Sequence, residues 1–522
     1  MCGIVAAFGE VDVPLCREML ARIAHRGPDD TGETRSGDVW LGHQRLSIMD
    51  PQGGRQPLVG PDGRSRLVAN GEIYNHLRLR EELGPDRFTT GSDSEAALHV
   101  LLVDGPAGLT RLRGMFALAL VDEAGSLLVA RDALGVKPLY WARKDGCVLF
   151  ASELRAFAPA DRPLAESFPP GCCWTPRGGL VRFTDAVPPR VRPARRPQRT
   201  SASGQWDERL LKAVRETVVS AVEDRMMSDV GIGVFLSGGL DSAIVTAVAA
   251  EYAKRHGRHR PLPTFAVGTP GSPDLMAARV VAEHLGTEHH EVVMSPQDAM
   301  AALPETVRAI EHFDVHLVRS AVPNLLLAEY ASRRVRAVLT GEGADELFAG
   351  YPDCHREPFL APEALQARLV ALVEGLQWEN LQRCDRTTMA YGLEARVPFL
   401  DRDVIELALS IPPEHKMIGP GVEEKKLLRD AFAGWLPEKI LRRGKLQFGH
   451  GSGAKDVLAA GLAAAGPAET AMGDAEEEAA FYALWLAEFP GIDPVRALGR
   501  SAPPAERRDS LTERLDTAVP DF

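Results

Sequence analysis

Cys2 stands second in the chain, in the opening Met1-Cys2-Gly3-Ile4-Val5. With the initiator methionine removed, it carries both a thiol and a free α-amine. The amine titrates near ~7.7–8.0 and a free thiol near ~8.5, so a proton passes between them with little tuning. Any residue left in front would turn the amine into a non-basic amide. Further segments supply what a thiol attacking an amino-acid amide requires. Arg45, in Leu41-Gly42-His43-Gln44-Arg45-Leu46-Ser47-Ile48, offers a fork for an α-carboxylate. Glu72 and Asp93 suit an α-ammonium, and the Asn70 side chain and Gly71 N–H are donors for an oxyanion. Each has a plain structural reading as well: a surface arginine, a hairpin turn at Asn70-Gly71, and a helix cap at Ser92 or Asp93.

A second constellation begins at the short apolar strand Val234-Phe235-Leu236. Ser237-Gly238-Gly239-Leu240-Asp241-Ser242 follows, then a helical run from Ala243 to Lys254 with Ile244, Val248 and Tyr252 on one stripe. A strand, a Gly-Gly turn and a helix N-terminus make an anion site, because backbone N–H groups and the helix dipole favour phosphate oxygens. The chain has no G-x-x-x-x-G-K-[ST] loop, so this is not a Walker-type site. Val338-Leu339-Thr340-Gly341-Glu342-Gly343-Ala344-Asp345-Glu346 again reads as strand, turn and helix. Its acids, with Asp241, suit Mg²⁺ held against phosphates. Lys445, in Arg442-Arg443-Gly444-Lys445-Leu446-Gln447-Phe448, is a cation suited to a pentavalent phosphorus and a leaving pyrophosphate. The structural readings here are a capped turn, a solvated helix start and a surface lysine.

The elements around these residues divide the chain. At 522 residues it exceeds the ~300 at which one core stops growing, so two or more domains are expected. Residues 1–185 and 206–522 are the expected domains, joined by a linker at 186–205 rich in Pro and Arg and unable to bury a core. No apolar run approaches ~18 residues, so no membrane span is expected. A nucleophile at position 2 also argues against a signal peptide. Seven cysteines without regular spacing fit a reducing cytoplasm, and no Cys/His cluster has zinc spacing. A net charge of −12 argues against nucleic acid as a general partner. The Ala/Gly-rich stretch around 458–468 and the tail after 502 read as loosely ordered.

The first constellation, continued by Arg131-Asp132-Ala133-Leu134-Gly135-Val136-Lys137-Pro138 and Phe150-Ala151-Ser152-Glu153, resembles the class II glutamine amidotransferase domain, an N-terminal-nucleophile hydrolase. The second resembles the PP-loop of N-type ATP pyrophosphatases. Together, with Gly392-Leu393-Glu394-Ala395-Arg396-Val397-Pro398-Phe399-Leu400-Asp401, they resemble the glutamine-dependent asparagine synthetase family. The resemblance implies an αββα sandwich followed by an α/β domain with a parallel sheet and many helices. It implies glutamine hydrolysis at Cys2, ammonia passing out of contact with bulk water, and adenylation of a carboxylate by ATP with Mg²⁺. It places Leu236, Val267 and Gly341 at the adenosine, Asp345 at the metal–pyrophosphate, Glu342 at the intermediate and Lys445 at the transition state. A homodimer is also expected.

The chain departs from the family near the acceptor. In Glu311-His312-Phe313-Asp314-Val315-His316-Leu317-Val318-Arg319, His316 and Leu317 replace two threonines, while Arg319 is kept as a candidate carboxylate clamp. Gly449-His450 replaces Ser-Asp. Lost hydroxyls shift specificity when buried substrate groups go unpaired. Read as neutral drift, the substitutions leave L-aspartate as the acceptor, and this is the reading taken; read as functional, they point to the alternative, a different small carboxylate of a specialised pathway. A non-catalytic regulator binding ATP or glutamine is the competitor from another class. It predicts damaged catalytic positions, and none is damaged outside the acceptor segment.

Overall fold

The computed structural model of the chain describes residues 2–189, 207–257, 260–418, 423–444, 448–465 and 473–499. Most of the expected linker, and Lys445, lie outside them. Among the described residues no helix is long and apolar enough to cross a membrane.

The first sheet is six-stranded, and Gly3–Gly9 lies within it, antiparallel to Val39–Arg45 and to Cys147–Ala151. This strand is apolar at every position because both of its faces are covered. Ile4 and Ala6 face a second sheet, while Val5 and Ala7 pack with Cys16, Met19 and Leu20 of the helix Val13–Arg22. That helix starts where Asp12 accepts from the Leu15 N–H at 3.2 Å, with Pro14 in its first turn.

The second sheet, also six-stranded, contains Arg66–Ile73 antiparallel to Gly114–Val121. Val68, Ala117 and Ala119 meet the first sheet, and Leu67, Ala69 and Leu118 meet Ala97, Leu98 and Leu101 of the helix Ser94–Asp104. Helix, sheet, sheet and helix therefore stack in the four expected layers.

The third sheet has five parallel strands in the order Glu288–Val293, Pro263–Gly268, Ile232–Phe235, Ala337–Leu339, Glu394–Arg396. The chain leaves Ile232–Phe235 to one side and returns to the other. The gap between Ile232–Phe235 and Ala337–Leu339 is thus the topological switch point, where a ligand crevice opens at the strands' carboxyl ends.

Three local expectations are corrected. Asn70-Gly71 is not a turn, because both residues lie inside the strand Arg66–Ile73. Asp93 stands at the N-cap position of the helix Ser94–Asp104, as expected, but its side chain makes no cap hydrogen bond, its carboxylate being drawn to the Ile73 N–H. The stretch from 454 to 465 is the helix Ala454–Ala465, for alanine is the best helix former and Leu458 is fully buried against the core.

Candidate active sites

The register sets the first site. Gly3 pairs with Gln44, so the next position on each chain brings Cys2 and Arg45 side by side. The Cys2 N–H donates to Asn70 Oδ1 at 3.0 Å, and its Sγ donates to the Leu46 carbonyl at 3.9 Å. Asn70 Nδ2 is buried without a hydrogen-bond partner. Leaving such a donor unpaired costs about 1–3 kcal/mol, and a developing oxyanion beside the thiol would satisfy it. Glycine is needed at 71, where a Cβ would come within 1.9 Å of the Met115 carbonyl oxygen. Burial pushes the Cys2 thiol up, so it stays protonated until a base takes the proton.

Carboxylates crowd the same place. Glu72 Oε1 lies 3.3 Å from Arg396 Nη2, and Glu72 Oε2 is buried without a hydrogen-bond partner. Asp93 accepts from the Ile73 N–H at 2.6 Å, and burial raises its carboxyl to about 6. Burial, then repulsion from Glu394 and Asp93, drives Glu72 well above the ordinary carboxylate range. Surplus negative charge of this kind favours the arrival of a cation such as an α-ammonium. Arg45 donates to the carbonyls of Met49, Asp50 and Pro51 at 3.3, 2.7 and 3.0 Å. Its guanidinium orders the 49–51 loop, which a substrate carboxylate would have to share with it.

A buried ionic seam joins this site to the rest of the chain. Arg26 donates to the Cys2 carbonyl at 3.0 Å and reaches Glu153 at 2.6 Å and Asp385 at 2.9 Å. Arg386 pairs with Glu153 at 3.1 Å and Glu311 at 3.2 Å. Such charges persist in a core only in mutual contact.

The second site lies in a cavity of about 560 Å³ at the switch point. Leu236, Ser237, Gly239, Asp241, Ser242, Val267 and Gly341 line it, whereas Gly238 does not line it and packs instead against Asp274, Ala277 and Ala278. Gly238 has φ +74°, and a Cβ there would stand 2.6 Å from the Ala278 nitrogen. The loop therefore turns tightly into the helix Leu240–Arg255, whose N-terminus opens on the cavity. Ser237 Oγ and Ser242 Oγ, 3.1 Å apart, brace it. Asp241 and Asp345 converge on Lys425 Nζ at 2.5 and 2.6 Å. Among the described residues no group of three or more His, Cys, Asp or Glu could hold a metal. Mg²⁺ needs fewer protein ligands, being held by one or two carboxylates with substrate phosphates. Two carboxylate oxygens already gathered on one cation fit that donor set. Glu342 pairs with Arg383, which also donates to Ser320 Oγ at 3.1 Å.

The acceptor segment differs from its simplest reading. Arg319 lines the cavity, but its Nε donates to buried Glu477 at 2.8 Å and its Nη2 to Asp474 at 2.6 Å. Both acids belong to the helix Asp474–Glu488. His316 is exposed and Leu317 buried at the cavity wall.

Several partners were missed in the sequence: Arg26, Arg383, Arg396, Lys425 and Arg443. Arg443 donates to the Gly238 carbonyl at 2.9 Å and to Asp274 at 2.7 Å, clamping the glycine loop. The available signal was basic residues inside otherwise apolar runs, as in Ala395-Arg396-Val397-Pro398. A buried arginine always demands a partner.

A profile of the glutamine amidotransferase domain matches residues 1–167, and one of asparagine synthase matches residues 213–372 and 360–483. The chain is 40% identical to asparagine synthetase [glutamine-hydrolyzing] 3 of Arabidopsis thaliana over 479 residues, covering 87% of this chain and 79% of that one. Asparagine synthetase [glutamine-hydrolyzing] 2 of the same plant is 40% identical over 473 residues, with the same coverage. The enzyme of Asparagus officinalis is 40% identical over 481 residues, covering 87% and 78%. By matches of this extent in both halves, the chain belongs to the glutamine-hydrolysing asparagine synthetase family.

Proposed function

We propose that the chain amidates L-aspartate to L-asparagine, using glutamine as nitrogen donor and cleaving ATP to AMP and pyrophosphate. The observation that carries the glutaminase half is the Cys2–Asn70 contact at 3.0 Å, with Asn70 Nδ2 left unpaired beside the thiol. The α-amine of Cys2 takes the thiol proton, and Sγ attacks the side-chain amide carbon of glutamine. Asn70 Nδ2 and the Gly71 N–H hold the oxyanion. The amine returns its proton to the departing nitrogen, ammonia leaves, and water then frees glutamate from the thioester. Glu72 and Asp93 bind the substrate ammonium and Arg45 its carboxylate.

In the second half the loop Ser237–Ser242 takes the phosphates, and Leu236, Val267 and Gly341 take the adenosine. The acceptor carboxylate attacks the α-phosphorus and pyrophosphate departs, with Lys445 assigned to the charge that develops. Ammonia, kept from bulk water where it would protonate, then attacks the acyl carbon and AMP leaves. Glu342 faces this step. Asp241 and Asp345 would hold Mg²⁺, which would supply charge neutralisation to the phosphates. The domains assigned are 1–185 and 206–522 about the 186–205 linker. A cytoplasmic homodimer accords with the family resemblance, and all seven cysteines are free and buried, as a reducing compartment allows.

The test is product analysis with glutamine, ATP, Mg²⁺ and a panel of carboxylates. Stoichiometric asparagine and AMP are expected with L-aspartate. AMP formation only with another acid would overturn the acceptor assignment while leaving the chemistry in place.

A further inference from the structure

The loop that Arg45 orders is fixed by one residue of unusual backbone. Asp50 has φ +44°, in the left-handed region, which a residue bearing a Cβ keeps only where its surroundings hold it. Every polar group of Asp50 is engaged. Its carbonyl accepts from Arg45 Nη2 at 2.7 Å and from the Gly54 N–H at 2.9 Å. One carboxylate oxygen accepts from the Gly53 N–H at 2.8 Å, and the other from the Gly91 N–H at 2.7 Å. Gly91 opens the segment Gly91-Ser92-Asp93, so Asp50 joins the proposed carboxylate clamp to the proposed ammonium site. Its own N–H donates to Asp229 Oδ2 at 2.7 Å, and the Asp229 N–H donates back to the Ile48 carbonyl at 3.3 Å. Asp229 belongs to the other half of the molecule, just before the strand Ile232–Phe235 of the parallel sheet. The far end of that strand leads into the loop Ser237–Ser242. One strand thus anchors the glutamine-side loop at its start and the phosphate loop at its end.

We infer that Asp229 is a positioning residue for glutamine, acting through Asp50 on the span between Arg45 and Asp93. The inference rests on the proposed binding of glutamine by those two residues. The substrate's α-carboxylate and α-ammonium sit on one carbon, so their two partners must keep one separation. Asp50 sets it, tied to the first by its carbonyl and to the second by its carboxylate. A released N–H would let the strained residue relax toward ordinary backbone and turn its carbonyl away from Arg45. The Asp229 carboxylate prevents this with a charge-assisted hydrogen bond. The contact governs how glutamine is held, not how its amide is cleaved. Asp229 is exposed, so removing its carboxylate leaves the core intact.

The full chain is assayed for glutamate release from glutamine, with the thermal unfolding midpoint and ammonium-dependent AMP release as controls. Wild type, Arg45→Ala, Asp229→Ala, Asp229→Asn and Asp50→Asn are compared. Asp229→Ala should raise the glutamine KM roughly three- to tenfold, with kcat and ammonium-dependent AMP release within about twofold of wild type. Asp229→Asn keeps an accepting oxygen and should restore most of the KM. Asp50→Asn turns one accepting oxygen into a donor facing an N–H, and should raise the KM by a similar factor. An unchanged KM in Asp229→Ala or in Asp50→Asn would overturn the inference. A fall in kcat, AMP release or unfolding midpoint accompanying the higher KM in Asp229→Ala would overturn it too, since that marks a general structural role. If Arg45→Ala raises the KM and Asp229→Ala does not, the glutamine site stands and the inference falls. No glutamate release by wild type, or an unchanged KM in Arg45→Ala, would remove both.

Discussion

Glu72 and Arg396 meet at 3.3 Å, the acid on a strand of the second antiparallel sheet and the base on an edge strand of the parallel sheet. Arg396 also holds Glu394 at 2.6 Å, and its carbonyl accepts from the Thr340 N–H at 2.9 Å, one residue before Gly341-Glu342. The glutamine-side carboxylate and the ATP-side turn therefore share one buried arginine. Removing it leaves two buried acids without their cation. Arg396→Ala should cost about 3–5 kcal/mol of stability, measured by chemical denaturation. A loss under about 1 kcal/mol would mean the seam is open to water.

Asp93 gives the glutaminase a pH signature. Its carboxyl titrates at about 6 in the folded chain, first because it is buried, against ~3.9 when unfolded. Between these values the native state holds the extra proton, so this group's contribution to stability falls as pH rises through the window. Ammonium binding runs the other way, because it needs the ionised form. The KM for glutamine should rise as pH falls through about 6. In Asp93→Asn, KM should be higher at neutral pH and lack this acidic limb. An acidic limb surviving in Asp93→Asn would assign the titration elsewhere.

Cys2→Ala should abolish glutamine-dependent amidation and spare amidation with ammonium salts. A blocked N-terminus, such as an uncleaved tag, should do the same, since it removes the basic amine. Equal loss of both activities in a folded variant would contradict two separate sites.

Asp345→Asn should cripple ATP cleavage while glutamine hydrolysis continues, because Asp345 and Asp241 share Lys425 at the glycine loop. The wild-type nucleotide product should be AMP, read by chromatography. Stoichiometric ADP would contradict the assignment of the Ser237–Ser242 loop.

Much of both sites is legible in the order of residues, because their chemistry is local. Ser237-Gly238-Gly239 needs only a preceding strand and a following helix to make an anion site, and the structure builds that pair around positive-φ Gly238. The four-layer sandwich follows from apolar strands covered on both faces. The role of Asn70-Gly71 was ambiguous between turn and strand, since the dipeptide suits both. Only pairing with Ala117 and Phe116 across the sheet decides for the strand. Likewise, the identity of Cys2 comes from the sequence, while its juxtaposition with Arg45 comes from the strand register. Arg319 reads as a cation in an acceptor segment. That Glu477 takes one edge of it and Asp474 the other depends on how the helix Asp474–Glu488 packs. Which groups carry charge and nucleophilicity can be read from the residue types. Which charges neutralise one another follows only from the packed fold, because burial makes an unpaired charge costly and its partner can come from anywhere in the chain.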